Sequence, residues 1–265
     1  MPNKEFRDRV WDYYTNNKRA LPWRHNTDPY FVLVSELMLQ QTQVSRVVPK
    51  FELFMQEFPT IADLADAPLS KVLQAWNGLG YNRRAKYLHE AAQQIIRVHR
   101  SIIPNDLESL KALPGIGPNT AAAILVYAYN SPLVFIETNI RSVYIHHFFS
   151  DNAVVDDKQL MPLIEATLDR QNPREWYWAL MDYGTHIKSL HPNPSRRSKH
   201  YTKQSSFAGS DRQLRGKIIK LLLEGPLSQS ALLHSLHDDR TPLILAALKK
   251  EKLVKITGEK IELYS

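Results

Sequence analysis

The chain has 265 residues, 43% hydrophobic and 23% charged, with a formal net charge of +7: a globular composition with enough length for one large or two modest domains, and a basic surface whose first candidate partner is nucleic acid, since it releases counterions from phosphates. It has no cysteine, which excludes disulfides, thiol catalysis, cysteine zinc sites and cysteine-held iron–sulfur clusters. No apolar run reaches the ~18 residues that cross a bilayer, and the N-terminus is charged from its fourth residue without an apolar signal core, so a cytoplasmic protein with no membrane partner is expected.

Apolar residues spaced three and four apart run through most of the chain, the period of helices. "DPYFVLVSELMLQQTQVSRVVPKFELFMQEF" opens on an Asp-Pro start signal and is too rich in Leu, Met and Gln to read as strand. "TIADLADAPLSKVLQAWNGLG" holds two short helices that stop at Gly78 and Gly80. "RRAKYLHEAAQQIIRVHRS", "DLESLKAL" and "TAAAILVYAY" follow as helices, then one from Thr138, "TNIRSVYIHHFF", and two more, "DKQLMPLIEATLDRQ" and "PREWYWALMDYGTHIKSL". No convincing strand precedes residue 250, so the body reads as all-α with short connections.

Residues 191–211, "HPNPSRRSKHYTKQSSFAGSD", are rich in Pro, Ser and basic residues and read as a surface-hugging loop or linker. Three short helical patterns come next: "RQLRGKIIKLLLEG", "SQSALLHSLH" and "TPLILAALKKEK". "LVKITGEKIELYS" then alternates on both sides of a Gly-containing turn, a hairpin pattern. Three helices and a hairpin match a winged-helix module whose third helix carries Lys249, Lys250 and Lys252 toward DNA; packing against the body or a protein partner fits equally well.

The chemistry starts at "LPGIGPNTAAAI", residues 113–124. Gly115 and Gly117 permit a turn that aims several N–H groups one way, and the helix after it adds its free N-terminal amides and positive dipole end. A phosphate fits such a turn; a plain connection between two helices would use it as well.

With its surroundings, this stretch resembles the helix–hairpin–helix of the base-excision DNA glycosylase superfamily, and the MutY-type adenine DNA glycosylase branch in particular. The likeness rests on "LPWR" (21–24), "DPY" (28–30), "SELMLQQTQV" (35–44), "FPTIADLADAPLSKVLQAWNGLGY" (58–81), "LPGIG" (113–117) and "ALMDYG" (179–184), and spans about residues 20–187. It implies an all-α glycosylase with a six-helix barrel over 24–130 that carries the hairpin. Residues 1–23 and 131–205 would form a second helical lobe, and 206–265 the winged-helix-like module. The implied partner is double-stranded DNA with a mismatched or damaged base, flipped out of the duplex and held by a monomer, nucleoid-associated when on DNA.

The resemblance also assigns residues. Glu36 stands at the family's general acid, which protonates the departing adenine; burial keeps a carboxylic acid protonated near neutral pH. An exposed helix glutamate is the plain alternative, but Val34, Leu37, Met38 and Leu39 around it are apolar. Gln41, rather than Gln40, matches the glutamine that wedges into the base stack, and Tyr81 the tyrosine that enters the duplex beside it. Gly115, Gly117 and Thr120 would form the phosphate grip.

Three features depart from the family. Asn119 replaces the lysine with which bifunctional members form a Schiff base, so a monofunctional glycosylase is expected. Glu137 stands where the superfamily has an aspartate that stabilises the oxocarbenium-like sugar and caps a helix. Glutamate keeps the charge, adds a methylene and is a poorer N-cap. Either it still reaches the anomeric carbon, and Glu36 and Glu137 form a glycosidase-like acid and nucleophile pair, or the pocket has shifted and the substrate or rate differs from the family's. The cluster spacing C-x6-C-x2-C-x5-C falls on Lys188, Ser195, Ser198 and Gln204, so no iron–sulfur cofactor is expected, while the hairpin leaves room for a structural cation. Arg196, Arg197 and Lys199, with Lys203, His200 and Tyr201 nearby, would meet phosphates instead; a solvated basic linker is the alternative. His186, His191 and His200 match no metal template, and no metal site is expected.

The 8-oxoguanine-reading second domain of the adenine branch has no counterpart in the last 60 or so residues. The sequence therefore points to excision of a mispaired base, adenine opposite 8-oxoguanine or guanine first, with a uracil or thymine mismatch glycosylase, or a DNA- and damage-binding protein with weakened catalysis, as alternatives.

Overall fold

The computed structural model describes residues 1–149 and 154–264. Its helices, in chain order, are α1 (Asn3–Asn17), α2 (Pro22–His25), α3 (Pro29–Leu39), α4 (Val44–Glu57), α5 (Ile61–Asp66), α6 (Leu69–Trp76), α7 (Arg83–His99), α8 (Leu107–Lys111), α9 (Pro118–Tyr129), α10 (Thr138–Phe148), α11 (Asp157–Thr167), α12 (Pro173–Leu190), α13 (Asp211–Glu224), α14 (Gln229–Leu236) and α15 (Thr241–Lys250). Several starts are written locally: Thr60 and Asp63 close a capping box on α5, Asp156 and Gln159 another on α11, and Ser210 and Ser228 cap α13 and α14. No helix among the described residues is long and apolar enough to cross a membrane.

The chain divides into two compact units that interleave along the sequence. One holds residues 1–32, 105–111 and 116–203; the other holds 33–104, 112–115 and 204–265. The C-terminal module therefore groups with the helices from α4 to α7.

In the first unit α1, α10, α11 and α12 pack around an aromatic cluster. Phe6 lies 5.0 Å from both Tyr144 and Phe148 and 6.1 Å from Trp176, and all four of Phe6, Tyr144, Trp176 and Tyr177 are fully buried. Asp182 of α12, 2% exposed, ties the N-terminal segment to this core. It accepts both Nη atoms of Arg24 at 2.8 Å and Nε of Arg19 at 2.6 Å. Burial alone would raise its carboxyl; the two arginines bring it below the ordinary range. The "LPWR" and "MDYG" motifs are thus the two ends of one clamp.

In the second unit α5 and α6 pack on α7, and α6 on α4, with Phe54, Phe58, Trp76 and Leu88 wholly buried among them. The module follows the order α13, β1 (Leu227–Ser228), α14, α15, β2 (Val254–Thr257), β3 (Lys260–Leu263). Its sheet runs β1-β3-β2, all antiparallel, with Ile256 opposite Ile261. This is the winged-helix order foreseen from three helices and a hairpin.

The helical stretch 28–58 holds two helices, separated at Gln40–Gln43, where Gln41 takes a left-handed backbone. One reading needs correction. A short strand, β1, does precede residue 250; at two residues it is too brief to show alternation. Of the two readings of the basic segment, residues 191–201 take the surface-hugging one. Pro194–Arg197 form a 3₁₀ turn, Ser195 and Ser198 are buried, and Val155 and Ser198 form an isolated β-bridge.

Candidate functional site

The hairpin turns on a single glycine. Gly115 has φ +76, and a Cβ there would sit 2.7 Å from Cβ of Tyr87, so both conformation and space demand glycine. Gly117 differs: its backbone is extended, φ −84 and ψ 174, and a Cβ would meet nothing. It is the N-cap of α9 and, as a glycine, has no side chain with which to cap that helix end. Pro118 occupies the first position of the helix, Asn119 the second and Thr120 the third. Gly117 and Asn119 are exposed, so an uncapped helix N-terminus faces out, the arrangement that accepts an anion.

Two left-handed turns stand close to this hairpin. Gln41 has φ 55, and in "GLGY" Gly80 has φ 74 and Tyr81 φ 51. For a non-glycine residue this backbone costs on the order of 1 kcal/mol, and it persists only where the surroundings enforce it. Here the enforcer is Arg84, in the first turn of α7 and 8% exposed. One guanidinium nitrogen donates to the carbonyls of Leu37 at 2.7 Å, Met38 at 2.8 Å and Gln40 at 2.6 Å; the other donates to Thr42 Oγ1 at 2.9 Å and to the Gly80 carbonyl at 3.1 Å. The C-terminal end of α3 and the Gly80–Tyr81 turn are therefore fixed by one cation, which also suits the negative end of the α3 dipole. Burial pulls the Arg84 guanidinium down to about 10, so it stays charged at neutral pH. Trp76 Nε1 donates to the same Gly80 carbonyl at 3.1 Å.

These turns line a cavity of about 440 Å³, together with Tyr87, Gly115 and residues of α13. Gln40, Gln41, Tyr81 and Gly115, spread over 75 positions of sequence, meet there. Tyr81 is half-buried and Gln41 exposed. Glu36 lies in α3 one turn before Gln40; it is half-buried, with Val34, Leu37 and Met38 buried around it.

Glu137 belongs to the other unit. It is the N-cap of α10 and accepts the amides of Asn139 at 2.7 Å and Ile140 at 3.0 Å, so the longer side chain caps after all. Burial pushes its carboxyl above the ordinary range; the two amides, then Lys188 and Arg141, pull back. Lys188 is lowered by burial and supported by Glu137. Gly184, one turn earlier in α12, explains how the helices come so close: a Cβ there would lie 2.6 Å from the Asn139 carbonyl oxygen. The glycine of "MDYG" lets α12 approach the start of α10, just past Glu137.

The basic segment divides. Arg197 donates to the Ile145 carbonyl at 3.0 Å and is half-buried, while Arg196 and Lys199 are exposed, Lys199 within 3.4 Å of Asp156. Ser195 donates to Asn193 at 2.9 Å and Ser198 accepts from the His200 amide at 3.1 Å. Hydroxyls closed in such bonds, with Lys188 and Gln204 at the other two positions, do not suit an iron–sulfur cluster. No group of three His, Cys, Asp or Glu side chains fit for a metal occurs among the described residues.

Sequence reasoning missed Arg84, whose neighbours "YNRRAK" look like a solvated helix start. It also missed Arg212 and Gln204, both of which donate to the Tyr81 hydroxyl. Only the fold brings these residues together.

The family model for the HhH-GPD superfamily of base excision DNA repair proteins matches residues 34–167. The adenine DNA glycosylase of Mycobacterium tuberculosis is 32% identical over 248 residues, covering 83% of this chain and 80% of that protein. The adenine DNA glycosylase of Buchnera aphidicola from Acyrthosiphon pisum is 35% identical over 178 residues, covering 66% of this chain and 51% of that one. Among solved structures, a thermostable thymine-DNA glycosylase superposes with a TM-score of 0.64 over 73% of this chain and 91% of that chain at 24% identity, a likeness of fold.

Proposed function

Because the chain belongs to the HhH-GPD superfamily of base excision DNA repair proteins, we propose that it is a DNA glycosylase that removes adenine, mispaired with guanine or 8-oxoguanine, from double-stranded DNA. The observation that carries this reading is the likeness over 83% of the chain to an adenine DNA glycosylase. The uncapped hairpin helix and the exposed basic residues Arg196 and Lys199 suit a phosphate backbone.

In this reading the target adenine leaves the stack, and Gln41 and Tyr81 fill the gap from their enforced turns. Glu36 gives its proton to the adenine ring as the N-glycosidic bond breaks, so the base departs neutral with the bonding electrons. Positive charge left on the sugar is met by the Glu137 carboxylate. Water adds to the anomeric carbon and loses a proton to the Glu36 carboxylate, which restores the acid and closes the cycle. An amide at Asn119 forms no imine, so the product is an intact strand with an abasic site. A structural cation at the hairpin would rest on backbone carbonyls, since no acidic or histidine cluster is at hand among the described residues.

The test is a panel of duplexes holding A:8-oxoG, A:G, U:G, T:G and an abasic site. Strand breaks are expected in the two adenine duplexes, and only after alkali; borohydride should trap no covalent complex. Breaks without alkali, or cutting confined to U:G or T:G, refute the reading, and inert protein that still retards mismatched duplex marks a damage-binding protein.

Lys188 offers a finer test. Replacing it with methionine takes away a cation that lowers the Glu137 carboxyl, which then rises further. If the ionised form of Glu137 is needed, the acid limb of the pH–rate profile moves to higher pH. Single-turnover excision by Lys188→Met from pH 5 to 9 reads this directly; an acid limb that stays put or moves down separates Lys188 from the reacting carboxylate.

A further inference from the structure

The cavity at the Tyr81 turn is built from two parts of one unit. Gln40, Gln41, Gly80, Tyr81 and Arg84 form one side, and Arg212, Arg215 and Gly216 of α13 form the other. Four arginines, two glutamines, an asparagine and two tyrosines line it, and no carboxylate does. A site lined by guanidinium donors and by no carboxylate suits a flat partner with an acceptor edge.

Three of its arginines are already engaged. Arg84 is spent on backbone carbonyls, and Arg83 and Arg215 both pair with Glu251. Arg212 meets only neutral acceptors among the described residues: the Tyr81 hydroxyl, the Ser205 carbonyl at 2.7 Å and, distantly, the Ser205 hydroxyl. Its guanidinium lies 5.1 Å from the centre of the Tyr81 ring. Ser205 is exposed, so the acceptor that Arg212 holds is one a ligand can displace.

We propose that this cavity receives the guanine left unpaired on the opposite strand, and that Arg212 reads its O6 and N7 acceptors in place of the Ser205 carbonyl. The fork of a guanidinium matches those two acceptors, whereas adenine and cytosine present an amino donor on the same edge and 8-oxoguanine a protonated N7, so this contact serves the A:G mispair. Tyr81 supplies the stacking face beside it. The C-terminal module thereby takes part in mismatch choice through α13 and not through the lysines of α15. This rests on the glycosylase reading above and extends it to the partner strand.

The experiment measures binding, which is independent of catalysis. Duplexes carry a tetrahydrofuran abasic analogue opposite guanine, 7-deazaguanine or cytosine, and fluorescence anisotropy gives Kd for the full chain and for Arg212→Ala and Arg212→Lys. The wild type should bind the guanine duplex about tenfold more tightly than the 7-deazaguanine duplex, which lacks only the N7 acceptor. In Arg212→Ala the ratio should fall to near one, and Arg212→Lys should recover little of it, since one ammonium cannot form the fork. A wild type without the preference, a variant that keeps it, or an equal loss on all three duplexes, as a phosphate contact would give, overturns the inference. If the preference holds while no duplex is cleaved, the glycosylase reading fails alone; if cleavage holds without the preference, this inference fails alone.

Discussion

Glutamine at position 137 should lower single-turnover base excision by about three to four orders of magnitude, in the range that loss of a charge-stabilising carboxylate costs a glycosidase. The fold should hardly notice. Glu137 caps α10 through one carboxylate oxygen that accepts the Asn139 and Ile140 amides, and the amide oxygen of glutamine accepts the same two. The charge at the helix N-terminus is what disappears, a matter of about 1 kcal/mol or less. A carboxyl that burial pushes upward also costs folding less once it is neutral, which offsets part of that. Melting temperature should therefore move by no more than roughly 2–4 °C. Glu137→Asp completes the argument: it keeps the charge and shortens the reach, and should leave excision within about tenfold of the wild type. Near-normal excision by Glu137→Gln would remove the carboxylate from the mechanism.

The sequence announced some of this molecule and concealed the rest for physical reasons. Helix periodicity is a local signal, and the helices fall where it indicated; the caps at Thr60, Asp156, Ser210 and Ser228 fix their starts equally locally. Gly115 was legible as a turn glycine; that Gly117 needs no glycine geometry was not, because a pattern of two glycines does not say which one carries the positive φ. Glutamate at 137 read as a weak cap from average preference, yet its extra methylene bends back to two amides. The break at Gln40–Gln43 was hidden because nothing in "LMLQQTQV" forbids helix. What ends α3 there is an arginine more than forty residues away in the chain. Long-range partners of this kind leave no periodic trace. Arg84, Gln204 and Arg212 are basic or polar residues in polar surroundings, and only packing singles them out.

Arg84 accordingly carries the largest expected effect on stability. With methionine in its place, the carbonyls of Leu37, Met38, Gln40 and Gly80 lose a shared charged donor, and the first two lie in a buried setting. Stranded buried acceptors cost about 1–3 kcal/mol each where water cannot reach them. Methionine returns some apolar packing against Trp76, whose ring the guanidinium faces at 5.3 Å. A net loss of about 3 kcal/mol follows, which for a chain of this size is a fall in Tm of roughly 6–12 °C. Arg84→Lys separates charge from geometry. Its ammonium keeps the attraction to the end of α3 but cannot reach that end and the Gly80 turn at once. It should recover about half of the lost stability while freeing the backbone turns that carry Gln41 and Tyr81. A 2-aminopurine placed beside the mismatch reads the difference, because a wedge that enters the duplex unstacks it and raises its fluorescence. Arg84→Lys should fold and bind yet give a much weaker rise than the wild type. A variant that melts within about 2 °C of the wild type and unstacks the reporter fully would show that the two left-handed turns stand without the clamp.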